Sequence, residues 1–243
     1  MIFLSLLLAV PLILFIIPLT LYIKTPSSIT CVTINLINYI SNICLLICGG
    51  FTDPGIIQRN NEYKGQNIEN RVIKVNKNGH MVKFIYCQTC FHYNPPRTYH
   101  CRICNNCIER LDHHCLWMGK CVGKRNYRFF YLFLCLLIIS TLFRIIVCIA
   151  FLVNEHDNLR MVAFLAVVMV CDVLFLVGYL AKFFFSHTML LTSNDSYYEN
   201  EKQKRKNAID KNPFDRGCCR NIYLILCRKI PKTRVDLSAI KKD

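Results

Sequence analysis

The sequence predicts an α-helical integral membrane protein with four transmembrane helices and a cysteine-rich domain between helices 2 and 3. Three observations carry that prediction. Hydrophobic residues make up 53% of the 243, and they are gathered in long blocks. A formal net charge of +15 is left to the segments between the blocks. Finally, seven of the sixteen cysteines fall between positions 87 and 121, at spacings suited to holding a metal.

The first block, residues 1–23, carries no charge. A helix needs roughly 20 apolar residues to cross the hydrocarbon core, so the run is long enough. It has no basic n-region and no small-residue cleavage site, which argues against a signal peptide. Pro11 and Pro18 would kink it, as membrane helices tolerate. The second span, 28–51, is interrupted by Asn35, Asn38 and Asn42. Their spacing places all three on one helical face, which can turn inward toward other helices. The third and fourth spans, 127–153 and 160–186, are separated by the short polar link NEHDNL and so form an antiparallel hairpin.

Four crossings divide the chain into spans 1–51, a loop 52–126, spans 127–186 and a tail 187–243, with loop and tail on one side of the membrane. The loop holds twelve Lys and Arg and the tail thirteen, whereas the opposite side offers only Lys24 and Arg160. The positive-inside bias therefore puts loop and tail in the cytosol. These charges read as topology signals and as attraction to anionic lipid of the bilayer. With no accompanying motif for nucleic acid, no such partner is expected. Arg144 and Asp172 lie inside the third and fourth spans, each roughly 13 to 18 Å from their link at 1.5 Å per residue. Ionisable groups at such depth pair or line a cavity, so an Arg144–Asp172 ion pair is expected.

The loop carries Cys87-x2-Cys90, His100-Cys101-x2-Cys104-x2-Cys107, His113-His114-Cys115 and Cys121. A Cys-x2-Cys turn lets two sulfurs approach one metal at the tetrahedral angle, and closed structural zinc takes four ligands. Reduced, metal-bound thiols also suit a cytosolic face better than disulfides do. Two Cys3His sites would consume six cysteines and two histidines, leaving one cysteine. Cys87/Cys90 and Cys101/Cys104 are the natural pairs, so Cys107, Cys115 and Cys121 compete for the two remaining places. Cys115 is the best candidate for the free sulfur because His113 and Asp112 stand beside it. A base to form the thiolate and a carboxylate to orient that base are what a thiol nucleophile requires.

This run resembles the cysteine-rich domain of the DHHC-type protein S-acyltransferases, or palmitoyltransferases. The resemblance rests on Cys87-x2-Cys90, Pro95-x-Arg97-x2-His100-Cys101-x2-Cys104-x2-Cys107, Asp112-His113-His114-Cys115-x-Trp117 and Cys121-Val122-Gly123-x2-Asn126-x3-Phe130. Asp53-Pro54-Gly55 resembles the family's element after the second span. Asn212-Pro213-Phe214-Asp215 with Asn221 resembles its C-terminal motif. The resemblance implies two interleaved structural zinc sites in residues 85–126: Cys87, Cys90, His100 and Cys107 in one, Cys101, Cys104, His114 and Cys121 in the other. It also implies Cys115 as the acylated nucleophile, His113 as its base and Asp112 as the orienting carboxylate.

The implied reaction moves a long-chain acyl group, palmitoyl foremost, from acyl-CoA to cysteines of membrane-associated proteins. Golgi or endoplasmic reticulum is the expected membrane, with the active site facing the cytosol. Arg97, Trp117, Lys120 and Arg128 are candidates for acyl-CoA contacts. The sequence departs from the family pattern in carrying Asn94 before the first proline and Lys120 where Asn is usual. It also has Ser196-Tyr197-Tyr198-Glu199 in place of Thr-Thr-x-Glu. His92 reads as a solvated loop residue, and Cys218 and Cys219 as ordinary buried or free thiols, with S-acylation of the two as the alternative. The rival readings are a zinc-braced membrane scaffold, for which an unliganded Cys115 flanked by acid and base has no use, and a degenerate member, suggested by Lys120 and Tyr197, that binds acyl-CoA but transfers poorly.

Overall fold

The computed structural model describes residues 26–60, 62, 64, 71–77, 80–154, 159–206 and 212–234. The expected first span, 1–23, lies outside the described residues. The chain divides into two compact units, one formed by residues 1–48 with 129–189 and the other by 49–128 with 190–243.

The first unit holds the membrane-length helices. Helix α1 runs Pro26–Phe51, α2 runs Tyr127–Asn154 and α3 runs Leu159–Phe175; α3 passes through one π-helical segment, Leu176–Leu180, into α4, Ala181–Thr192. Among the described residues, three stretches are long and apolar enough to cross a bilayer: Ile29–Phe51, Tyr127–Val153 and Val162–Thr192. The last is continuous to Thr192, beyond the 186 expected from hydropathy alone. Polar His187, Thr188 and Thr192 weaken the apolar signal there. The helix continues because His187 is buried against the rings of Phe130 and Phe183, and Thr188 bonds Tyr131 Oη and the Phe184 carbonyl.

Among the described residues, a buried cluster of Val147, Cys148, Leu165 and Val168 joins α2 to α3, with Cys31 and Val32 of α1 packed against it. Asn35 and Asn42 are buried, each donating its amide to the carbonyl four residues back, so this face of α1 does turn inward. Arg144 and Asp172 pair in two parallel bonds of 2.9 and 2.7 Å, both residues buried. Paired this way, neither charge is left bare in an apolar surrounding.

The second unit is built from short hairpins, a finer architecture than the cysteine spacing alone conveys. Strands β1 (Ile56–Ile57), β6 (Asn106–Glu109) and β5 (Thr98–Cys101) form one sheet. Strands β2 (Val72–Lys77), β3 (His80–Cys87) and β4 (His92–Asn94) form another, and β7 (His113–Cys115) pairs with β8 (Lys120–Val122). Helix α5 spans Tyr197–Lys206 and α6 spans Cys218–Ile222, which runs on as a π-helical turn, Tyr223–Cys227. Such short strands bury little apolar surface of their own, and the cores are largely sulfur: Cys87, Cys90 and Cys107 in one cluster, Cys101, Ile108, Leu111 and Cys121 in the next.

Backbone approach is tight at Gly123, where an added Cβ would stand 2.6 Å from the Pro54 carbonyl oxygen and 2.6 Å from Ile108. Asn126, fully buried, receives the Gly123 N–H and donates to the Cys121 and Gly49 carbonyls. Asp53 accepts from the N–H groups of Gly55 and Ile56, and its other oxygen bonds Arg125 and Thr233.

Candidate active site and metal centres

Strand geometry explains how one short run of residues can serve two centres. Successive side chains of a strand point to opposite faces. In the β5–β6 hairpin His100 lies opposite Cys107, while Cys101, the next residue, faces the other way. In the β7–β8 hairpin His114 lies opposite Cys121, and His113 and Cys115 fall on the reverse face. The alternation thus delivers neighbours in sequence to different sites.

Two groups of donor atoms result, each with its members within 4.8 Å of one another: Cys87, Cys90, His100 and Cys107, and Cys101, Cys104, His114 and Cys121. In the first, His100 Nδ1 stands 3.4 Å from Cys90 Sγ and 3.8 Å from Cys107 Sγ. In the second, His114 Nδ1 is 3.8, 3.3 and 3.7 Å from the sulfurs of Cys101, Cys104 and Cys121. Zn–S bonds of about 2.3 Å and Zn–N bonds of about 2.0 Å at tetrahedral angles put the donors roughly 3.5–3.8 Å apart. The residues present therefore fit two tetrahedral metal ions. Cys104 and Cys121 are 3.4 Å apart, too far for a disulfide. Without a cation, burial and the neighbouring sulfurs push the Cys107 and Cys121 thiols far above the ordinary range. Three sulfurs this close need a cation among them to be held as thiolates.

Cys115 belongs to neither group. It is buried, with its sulfur against the His113 ring and facing the backbone N–H groups of Trp117 and Met118. Those amides come from the turn Leu116–Gly119, which closes on a Gly119 N–H to Leu116 carbonyl bond of 3.3 Å with Gly119 at φ +66°. Burial opposes the charge on Cys115, but the His113 hydrogen bond, its charge and the two amides outweigh it and bring the thiol below its ordinary value.

His113 Nδ1 is 2.7 Å from Asp112 Oδ2, which leaves Nε2 for the sulfur. Burial works against protonation of this ring too, yet the bonds to Asp112 and Cys115 push it up to about 9. Asp112 is almost fully enclosed. Its Oδ1 accepts the Tyr197 N–H at 3.0 Å and its carbonyl the Tyr198 N–H at 3.1 Å. Both donors belong to the first turn of α5, where N–H groups lack helical partners and the dipole favours an anion. The arrangement favours a thiolate–imidazolium pair, held by a carboxylate that is itself fixed by a helix N-terminus.

The start of α5 is set by a capping box. Ser196 Oγ and Glu199 Oε2 lie 3.1 Å apart, Glu199 N–H bonds back to Ser196 Oγ, and Glu199 accepts the Ser196 N–H. These contacts use backbone and hydroxyl, so Tyr197 in place of Thr leaves them intact; Tyr197 serves Asp112 through its main chain. Arg97 then locks the cap from across the unit. It bonds Glu199 with Nε and Nη2, reaches the Asn194 carbonyl and side chain, and lies 4.7 Å over the Phe214 ring. Arg97, a candidate acyl-CoA contact, thus has its guanidinium occupied within the protein. Arg128 bonds the Arg228 carbonyl. Asn221 is buried and ties Asp215, the Arg216 N–H and the Thr192 carbonyl together.

Three features escaped sequence reasoning. Arg110 is buried over the Tyr127 ring and bonds the Asp195 carbonyl, with its Nε lacking a partner among the described residues. The Trp117 and Met118 amides carry no side-chain signature. His92 lies in β4 opposite Cys87 with both ring nitrogens enclosed, so it is not the solvated residue expected. Pairing with β3 turns its ring into the unit.

Comparison with known proteins now bears on this geometry. The DHHC palmitoyltransferase family model matches residues 81–204, half of the chain. The chain belongs to the DHHC palmitoyltransferase family. Over 224 residues it is 30% identical to Probable protein S-acyltransferase 6 of Arabidopsis thaliana, covering 83% of this chain and 54% of that protein. Over 225 residues it is 35% identical to Palmitoyltransferase ZDHHC18 of Rattus norvegicus, covering 79% and 56%. The chain spans about half the length of the curated relatives it matches. The DHHC family match encloses both sulfur–histidine groups, the Asp112–His113–Cys115 array and the α5 cap.

Proposed function

We propose that this protein transfers a long-chain acyl group, palmitoyl foremost, from acyl-CoA to cysteine thiols of membrane-associated proteins through an acyl-enzyme on Cys115. The observation that carries the reading is the sulfur of Cys115, standing outside both donor groups yet bonded to a histidine that a buried aspartate holds.

In the first step the Cys115 thiolate attacks the thioester carbonyl carbon of acyl-CoA. The bond to the CoA sulfur breaks, and that sulfur leaves with the proton from His113 Nε2. In the second step a substrate cysteine gives its proton to His113, attacks the acyl-Cys115 carbonyl and leaves with the acyl group. One thioester replaces another, so the exchange is nearly balanced and needs no energy source. The protein supplies activation and positioning. Asp112 fixes the His113 tautomer throughout.

Zinc in the two Cys3His groups would neutralise the thiolates and hold the hairpins together, a structural contribution. The membrane reading completes the scheme: four spans, the first in 1–23, with the cysteine-rich unit on the cytosolic side of a Golgi or endoplasmic-reticulum membrane. The basic loop and tail support that orientation. Bringing the acyl chain to the bilayer spares about 0.8 kcal/mol of water exposure per methylene. Lys120 and Trp117, both partly exposed beside Cys115, are the nearest candidates for contacts to the donor.

The test is incubation of purified protein with labelled palmitoyl-CoA, comparing wild type with Cys115→Ser. Wild type should acquire a thioester label that hydroxylamine removes and that passes to an added cysteine peptide, and Cys115→Ser should acquire none. Absence of label on wild type would leave only a zinc-braced scaffold.

A further inference from the structure

Lys120 stands directly opposite Cys115 in the register of the β7–β8 hairpin. Residues opposed in an antiparallel pair share a face, with Cβ atoms about 4.5–5.5 Å apart. One side of this hairpin therefore presents His113, Cys115 and Lys120 together, and the other presents His114 and Cys121. Lys120 is half-buried, and among the described residues its ammonium has neither an ion pair nor a hydrogen bond. The Cys115 sulfur already faces the His113 ring and the Trp117 and Met118 amides, so the lysine is not needed to hold it. The family pattern places a neutral asparagine here; this chain places an amine on a flexible four-carbon stem.

We propose that Lys120 is an internal acyl acceptor: once Cys115 carries the acyl group, the Lys120 amine captures it as an amide. The inference rests on the acyl-enzyme argued above. The Lys120 ammonium first gives up one proton to solvent; the freed Nζ lone pair attacks the thioester carbonyl, a C–N bond forms, and the C–S bond breaks with sulfur leaving as the thiolate. The surplus amine proton passes to His113, which faces that sulfur. Neither an oxidant nor a second co-reactant is involved.

Two features make the transfer favourable. Strand pairing holds donor and acceptor side by side, turning a bimolecular reaction into an intramolecular one. Moreover, thioester exchange is balanced and reversible, whereas amide formation from a thioester runs downhill. Acyl groups would therefore drain onto Lys120 whenever no substrate cysteine arrives to remove them. The resulting amide keeps a lipid chain fixed beside the nucleophile and closes the site to the next acyl-CoA. Lys120 thus acts as a brake that engages when acyl donor is plentiful and protein substrate scarce.

The experiment uses the full chain in detergent with labelled palmitoyl-CoA and no acceptor, sampled over time, treated with hydroxylamine and mapped by peptide mass spectrometry. In wild type the label should begin hydroxylamine-labile and become resistant, with the resistant acyl group on Lys120. In Lys120→Arg, which keeps the charge but loses the amine nucleophile, and in Lys120→Asn, which restores the family residue, the resistant fraction of whatever label forms on Cys115 should fall to background. A wild-type label that stays labile throughout would overturn the proposal and leave the acyl-enzyme standing, as would resistant label that persists in Lys120→Arg. A wild type that takes up no label would instead refute the acyl-enzyme itself, and the proposal with it.

Discussion

Replacing Asp112 by Asn removes one charge from an enclosed site while preserving its shape, and so isolates what the carboxylate does. His113 lies at about 9 against an ordinary 6.5, a preference for the imidazolium worth roughly 3 kcal/mol. Asp112 supplies the larger part of that support and Cys115 the rest, since burial alone would lower the value. Roughly 2–3 kcal/mol should go with the charge, and with it a 30- to 150-fold loss of the thiolate–imidazolium pair. The amide also offers an N–H toward His113 Nδ1, which favours the tautomer unable to accept the Cys115 proton at Nε2.

Single-turnover acylation from palmitoyl-CoA at neutral pH should therefore slow by about two orders of magnitude in Asp112→Asn. The pH profile should change shape as well. A histidine whose value is raised stays protonated below about 9 and loses its proton above it, so the wild-type imidazolium persists across neutral pH, and the thiol beside it, held below its ordinary value, should bring the acylation rate up at a lower pH than in the variant. In Asp112→Asn the rate should climb with pH toward the ordinary thiol value of about 8.5. A rate within about twofold of wild type with an unchanged profile would refute the reasoning.

Other consequences follow from the same packing. Glu199→Gln leaves the Arg97 guanidinium buried without its counter-charge, and should cost about 3 kcal/mol, seen as a lower thermal midpoint in detergent. Because Glu199 also caps α5, acylation should fall with it, and an Arg97→Met, Glu199→Leu double variant should regain stability relative to Glu199→Gln but not regain activity. Gly123→Ala drives a methyl into the Pro54 carbonyl and should destabilise the cysteine-rich unit by about 1–3 kcal/mol, read by earlier zinc release on heating. Arg144→Ala and Asp172→Ala should each destabilise strongly, and the double variant by less than their sum; simple additivity in a thermal-shift cycle would show that the pair is energetically idle.

The helices were legible because hydropathy and charge act over tens of residues, and the Arg144–Asp172 pair because depth along a helix is simple arithmetic. Spacing marked Cys87/Cys90 and Cys101/Cys104 as pairs but left Cys107, Cys115 and Cys121 in competition, and the histidine donors came only from the family resemblance. Strand register resolves what spacing could not. His114 faces Cys121 while Cys115 faces Lys120, so parity along three residues separates a member of the second donor group from the thiol outside it. What stayed hidden is main-chain chemistry. The Tyr197 and Tyr198 amides that hold Asp112, and the Trp117 and Met118 amides at the sulfur, depend on helix start and turn geometry rather than on side-chain type. Arg97 illustrates the opposite error: a basic residue near the site suggests a phosphate, yet the fold uses it to lock a helix cap.

Native mass spectrometry of the intact protein after brief exposure to palmitoyl-CoA tests most directly whether the reactive sulfur and the metal-bound sulfurs are separate. The account predicts two zinc ions per chain before and after the reaction, with one acyl group added at Cys115 and two zinc ions retained in Cys115→Ser. Loss of a zinc ion on acylation, or from Cys115→Ser, would make Cys115 a ligand and contradict the account.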